Sequence, residues 1–279
     1  MQNIYYIDNN FSQENSTQYT LSIRYTTDGF SFCVHDPNNR LLVFYHQPLE
    51  CHLNEATIAK ATQFITNDPI LNLKYKKVFV LSCERNKMLL PAHAFNKSTL
   101  AEMFRLCFEL HESDSLIYRK IEAINSYLVE AQPRSFIDFL TSRYQPISII
   151  DSAYPFIIYS LSNMLFNSHY LFIDIHEQYF DILLTKSNDI LLFNSYSYGS
   201  VNDIIYYSLN CLQQTQINPD DLQTSISGNL VNDPMFIETI NKYISNIAVL
   251  NYAPLSQLVK NDQLNNSTFI HLLNIHKCE

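Results

Sequence analysis

One order of elements runs through this chain twice, and that repetition limits the fold more than any single motif does. In the first half, YTLSIRY from Tyr19 alternates as a strand, Thr27-Asp28-Gly29 supplies a tight turn and FSFCVHD alternates again. Pro37-Asn38-Asn39 turns the chain once more, and LLVFYH forms a third strand. A helix capped by Asn54 follows, with Ile58, Ala61, Thr62 and Ile65 on one face, and then KVFVLSC reads as a buried strand. The second half repeats the plan. HYLFIDI, YFDILLT and ILLFNSY are strands, joined by turns at His176-Glu177-Gln178 and Lys186-Ser187-Asn188-Asp189. Gly199 and Ser200 break the chain, and Asn202 caps a helix carrying Ile205, Ser208, Leu209 and Leu212. QTSIS leads to Gly228, Asp233 caps a helix with Pro234 in its first position, and NIAVLNY is a last strand. The repeat is one of architecture and not of residues.

The segments between and around the two plans read less regularly. KMLLPAHAF is strand or loop, and SLIYRKIEAINSYLVEAQ alternates as two strands. Leu100, Met103, Phe104, Cys107, Phe108 and His111 fall on one face of a helix capped by Asn96 or Ser98. Pro133 opens a short helix through Phe136, Leu140 and Tyr144. Residues 8–18 are polar and predict an exposed arm, while STFIHLLNIH predicts a closing helix. Two units are expected, residues 1–145 and 146–279, the second opening on the strand PISIID at Pro146.

Composition narrows the function classes. The net charge is −9, so phosphate backbones are repelled and nucleic acid is excluded as a partner. Lys74, Lys76 and Lys77 form the densest basic spot and read as a solvated strand entrance. The most apolar stretch, Ile147 to Phe166, is interrupted by Asp151 and Pro155; a strand running into a buried helix is expected there, not membrane insertion. The six cysteines include no C-x-x-C pair and read as reduced thiols. With MQNIYYIDNN showing no basic region followed by an apolar one, a cytoplasmic location is expected.

The duplicated plan, together with pieces of motif, resembles the actin-like ATPase (ribonuclease H-like) fold, an α/β class of two structurally related halves, each a mixed sheet with flanking helices. That superfamily includes actin, sugar kinases, the division protein FtsA and the pilus-assembly protein PilM. The whole chain looks like an uncharacterised bacterial family assigned this fold. In the superfamily, one hairpin turn from each half grips the nucleotide phosphates. Main-chain N–H groups must approach phosphate closely there, which favours glycine. The resemblance places the first turn in LSIRYTTDGF, where Ser22 stands at the family's Asp and Ile23, Arg24 and Tyr25 follow. It places the second in FIDIHEQYFDILL, with Asp174 as the family's Asp and a candidate Mg²⁺ ligand, His176 in place of glycine, and Glu177 where phosphate would dock. SYGSVNDIIY offers Gly199, Ser200 and Asp203 at the strand-to-helix join. SISGNLVNDP offers Ser227 and Gly228 at the adenosine turn, with Asn229 replacing a second glycine.

The resemblance thus implies cofactor contacts at Asp174, Gly199, Ser200, Ser227, Gly228 and Asn229, with ATP and Mg²⁺ as the cofactors. The glycine count opposes it: only Gly29, Gly199 and Gly228 occur in 279 residues, against about 20 at average usage. The residues themselves point to no cofactor and no metal. Cys107 and His111 have a metal-like spacing but lie on an apolar helix face, where core packing is the expectation. No phosphate-loop, dinucleotide, zinc-protease or nucleophile-elbow motif is present. A non-catalytic scaffold or interaction module is therefore expected, and an ATPase or small-molecule kinase with an altered site is the alternative. With 19 Tyr and 18 Phe available for an interface, a protein partner is expected and a homodimer would serve.

Overall fold

A computed structural model describes residues 3–26, 29–48, 55–164, 168–186, 189–250 and 266–275. Thr27, Asp28, Cys51, Asn54, Ser187, Asn188, His276 and Cys278 lie outside the described residues, and with them two expected turns and one expected cap.

The first sheet contains β1 (Ile4–Ile7), β2 (Thr20–Thr26), β3 (Gly29–His35), β4 (Leu41–Pro48), β5 (Lys77–Ser82) and β9 (Ile147–Asp151), in the order β1-β4-β3-β2-β5-β9. The second contains β10 (His169–Ile175), β11 (Tyr179–Lys186), β12 (Asp189–Ser197), β13 (Leu222–Gly228) and β14 (Ile247–Val249), ordered β12-β11-β10-β13-β14. In both, three antiparallel strands are followed by strands added in parallel: β5 on β2 and β9 on β5, then β13 on β10 and β14 on β13. Apart from β1, which adds an outer antiparallel strand to the first sheet, the spatial order is the same in both, and the duplicated plan is a fact of the structure.

PISIID, expected to open the second half, pairs instead with β5 as the outer strand of the first sheet. Its isoleucines divide between the two faces, Ile147 and Ile149 packing toward α1 (Glu55–Asn67) and α3 (Arg134–Arg143) and Ile150 toward the opposite core. A third sheet is inserted between β5 and β9, formed by β6 (Lys87–Pro91), β7 (Asp114–Ile121) and β8 (Ser126–Pro133) in the order β6-β8-β7.

Helices cover the sheets by strand alternation. Leu21, Ile23 and Tyr25 of β2 turn one way, onto α1 and α3 through Ala61, Ile65, Phe136 and Leu140. Leu171, Ile173 and Ile175 of β10 turn onto α5 (Val201–Gln214) and α6 (Pro234–Ile240). The remaining faces look toward each other, and two helices fill the space between them. Phe156 and Ile157 of α4 (Ala153–Ser162) pack on Tyr170, Phe172 and Leu183 of the second sheet. Phe269 and then Leu272 and Leu273 of α7 (Ile270–Asn274) pack on Cys33, Phe44, Phe79 and Leu81 of the first. Each phenylalanine buried this way stabilises the fold by roughly 1.5–3 kcal/mol.

Several local expectations are corrected. α2 (Leu100–Cys107) stops before Phe108, which is already extended, and its cap is Thr99 in place of Asn96 or Ser98. Cys107 is exposed at the last turn and His111 lies beyond it, so neither packs in a core. Ser200, not Asn202, caps α5. The polar arm is mostly exposed, as expected, but it is anchored and partly helical: Asp8 is buried and accepts from Asn10, Tyr6 and Arg40, and residues Gln13–Gln18 form a 3-10 turn. No helix among the described residues is long and apolar enough to cross a membrane.

Candidate functional site

At the facing ends of the sheets, ionisable side chains converge from six elements. Asp174 near the end of β10 lies opposite Asp181 of β11 and beside Ser227 of β13. The Ser227 hydroxyl donates to Asp174 Oδ1 at 2.5 Å, and His271 Nε2 of α7 stands 2.9 Å from Asp174 Oδ2. His176 follows in the turn after β10, two positions beyond Asp174. Its Nε2 is 3.2 Å from Asp174 Oδ2 and 3.5 Å from Asp181 Oδ2. Asp181 Oδ1 accepts from the Ser195 hydroxyl of β12 at 2.5 Å, and its Oδ2 accepts from Lys87 Nζ of β6 at 2.9 Å. Lys87 also reaches Asp151 Oδ1 at the end of β9, 3.1 Å away, and that oxygen accepts from Ala153 N–H at the start of α4 at 2.7 Å. The ring of His176 stacks on Tyr179 with centroids 4.3 Å apart.

All of these charged groups are buried. Charge taken out of water is stable only when paired, and the protonation states follow from the pairing. Burial alone would raise the Asp174 carboxyl; the facing His271 and His176 outweigh it and hold Asp174 well below the usual carboxylate range. Burial opposes charge on His176 too, but Asp174 and Asp181 override it and lift the imidazole to about 9. Asp181 is likewise depressed, by Lys87 first and then His176, against burial. Burial and the nearby Asp151 push Glu130 far up; it accepts from the Ser82 hydroxyl at 2.7 Å and from Gln132 Nε2 at 2.9 Å.

Of the residues that sequence reading singled out, Asp174, Ser227, Gly228 and Asn229 come together. Ile175 pairs with Gly228 across the strands, and Asn229 N–H donates to the Ile175 carbonyl at 2.8 Å. Gly228 has φ +98°, and a Cβ there would stand 1.9 Å from the Ile175 carbonyl oxygen, so the turn requires glycine for its own backbone. Asn229, which stands in place of a second glycine, does not take a positive φ; in this turn Gly228 does. Gly199 and Ser200 stand apart, exposed at the start of α5, where both N–H groups donate to the Asp203 carboxylate at 2.9 and 2.8 Å. They cap a helix. In the first half, Ser22, Ile23, Arg24 and Tyr25 lie within β2 and not in a turn.

A magnesium-bound triphosphate does not fit this arrangement. Mg²⁺ favours oxygen ligands and keeps several waters, whereas Asp174 is buried and faced by a hydroxyl and two imidazoles. The Gly228 N–H donates to the Ser267 hydroxyl at 3.0 Å, and the segment carrying Ser267 and Phe269 is buried between the sheets.

Sequence reading missed Lys87, Asp151, Asp181, Ser195 and His271 as members of one cluster. Asp174 and His176 carried a local signal, because an Asp-x-His spacing puts both side chains on one side of an extended chain. Lys87 and His271 carried none: they lie 94 and 97 residues from their carboxylate partners.

A family model described as "Protein of unknown function (DUF3822)" matches residues 8–247. Among solved structures, a Bacteroides thetaiotaomicron protein with actin-like ATPase fold and unknown function is 22% identical, with a TM-score of 0.82 over 95% of this chain and 98% of that one. The PilM–PilN type IV pilus biogenesis complex aligns with 10% identity and a TM-score of 0.55, over 91% of this chain and 96% of that one. No curated protein matches. The fold is that of actin-like ATPases.

Proposed function

The chain belongs to the DUF3822 family of unknown function, and on that premise we propose that it is a degenerate actin-like protein, a non-catalytic scaffold or interaction module. One observation carries this reading. The Asp174 carboxylate and the Gly228 N–H, which would meet metal and nucleotide, are bonded to Ser227, His271 and Ser267 of the chain itself. A ligand would have to break buried ion pairs to enter, and removing one partner from such a pair costs about 3–5 kcal/mol. The division into residues 1–145 and 146–279 is kept as part of the proposal, with β9 and α7 crossing it. A protein partner, or a second copy of the chain, is expected on the outer surface, where Tyr206, Met235 and Tyr243 of the α5–α6 layer are exposed. The PilM neighbour was itself solved in complex with a protein.

Titration calorimetry with MgATP tests the reading. No heat at millimolar nucleotide is expected. Micromolar binding that weakens in Asp174→Ala would establish the alternative, an ATPase or small-molecule kinase with an altered site.

A further inference from the structure

Two carboxylates and an imidazole nitrogen converge where β10 ends and β11 begins. One oxygen of each carboxylate is fixed by a serine: Ser227 on Asp174 Oδ1 and Ser195 on Asp181 Oδ1, both at 2.5 Å. The other oxygen of each faces His176 Nε2, at 3.2 and 3.5 Å. His176 is 7% exposed, yet its Nε2 completes no hydrogen bond of acceptable geometry with either carboxylate. The nitrogen is thus aimed between the two oxygens. One donor atom from each of Asp174, His176 and Asp181 lies within 4.8 Å of the other two. Donor atoms each about 2.0–2.2 Å from a common zinc ion would stand at separations of this order.

Asp174 and Asp181 hold a proton on His176, and an ion binding at its Nε2 displaces that proton. The carboxylates of Asp151, Asp174 and Asp181 then face the Lys87 ammonium and the ion together. His271 Nε2, at 2.9 Å from Asp174 Oδ2, and Lys87 Nζ, at 2.9 Å from Asp181 Oδ2, then act as outer partners that orient the ligand carboxylates.

We propose that Asp174, His176 and Asp181 form a buried site for one divalent transition-metal ion of the zinc class. Imidazole with carboxylate suits Zn²⁺, whereas an all-oxygen, water-rich shell suits Mg²⁺. The ion fastens the turn after β10 to β11, and through His271 it steadies the seat of α7 between the sheets. The site differs in donor chemistry from a nucleotide-borne magnesium and does not depend on whether nucleotide binds.

The experiment uses the full chain, stripped with a chelator and kept free of nucleotide, so its outcome is separate from that of the MgATP titration. Zn²⁺ is titrated in chelator-buffered solution, and Co²⁺ is added in parallel to read visible d–d bands. One equivalent of Zn²⁺ should bind, Zn²⁺ should displace Co²⁺, and a tenfold excess of Mg²⁺ should compete with neither. Ser195→Ala, which leaves all three ligands in place, should weaken Zn²⁺ by about 10–100-fold. His176→Ala should abolish the cobalt bands. The wild-type cobalt spectrum needs no variant to fold. Absence of both the zinc equivalent and the cobalt bands in the wild type would overturn the proposal, as would unchanged zinc affinity in a folded His176→Ala or effective competition by Mg²⁺.

Discussion

Lys87 and Asp181 meet at 2.9 Å across the seam between the inserted sheet and the second sheet, and neither side chain has any solvent exposure. A lysine buried this completely can stay charged only because Asp151 and Asp181 outweigh the cost of its burial and hold its pKa above the ordinary value. Lys87→Met should therefore destabilise the protein by about 3–5 kcal/mol, because two carboxylates lose their cation. The double variant Lys87→Met/Asp181→Asn should recover part of that loss. Urea denaturation of the single and double variants measures the coupling.

Gly228 and Gly199 should respond differently to the same substitution. Gly228→Ala drives a Cβ to 1.9 Å from the Ile175 carbonyl at a positive φ, whereas a Cβ at Gly199 meets only Asp203 Oδ2 at 3.8 Å. The first should lower the melting temperature by several degrees or prevent folding, and the second should change stability by less than about 0.5 kcal/mol. Thermal denaturation of the two purified variants checks this. Equal losses would mean that Gly199 has a backbone role beyond its helix cap.

Asp8 should make stability depend on acid. The N–H and side-chain amide of Asn10, with Arg40 and Tyr6, hold its carboxyl well below the usual carboxylate range. A depressed folded pKa contributes stability above the unfolded value, about 3.9, and that contribution fades as pH falls through the lower folded value. Asp8→Asn should thus cost about 1.5–2 kcal/mol at pH 7, the lower end of the range for hydrogen bonds to a charged group. The gap between variant and wild type should narrow steadily below pH 4. Denaturant midpoints taken from pH 2 to pH 7 would show it.

Phe269 should rank among the costliest truncations. Its ring is fully buried against Phe44, 5.1 Å between centroids, and against His46 at 4.9 Å. Phe269→Ala should cost about 3–5 kcal/mol, measured by chemical denaturation, and should also increase proteolysis of the closing segment.

How much of this was legible in the sequence depended on the range of the interaction concerned. The two three-stranded meanders were readable because strand alternation and turn residues act over a few positions, and β2–β4 and β10–β12 fall where YTLSIRY, FSFCVHD, LLVFYH, HYLFIDI, YFDILLT and ILLFNSY predict them. The Asp233 cap with Pro234 behind it was equally local, and the Asp233 side chain does accept from Met235 N–H. Range defeated the rest. Nothing near Ile147 tells which sheet it joins, because parallel pairing with β5 is fixed by a crossover of more than sixty residues. α2 was overextended because Phe108 and His111 continue its apolar spacing, although the chain leaves the helix at Phe108 to enter β7. The site was half legible: Asp174 and Gly228 stood out by resemblance, whereas Lys87, Asp181 and His271 acquire meaning only when the sheets face each other.

The placement of α7 has a mechanical consequence. Phe269 and Leu272 are packed into the first half, while His271, between them in sequence, is bonded to Asp174 of the second. The segment works as a keystone. Spreading the halves must either draw an aromatic ring out of one core or part a buried pair in the other, so a hinged jaw is not among the cheap motions of this molecule.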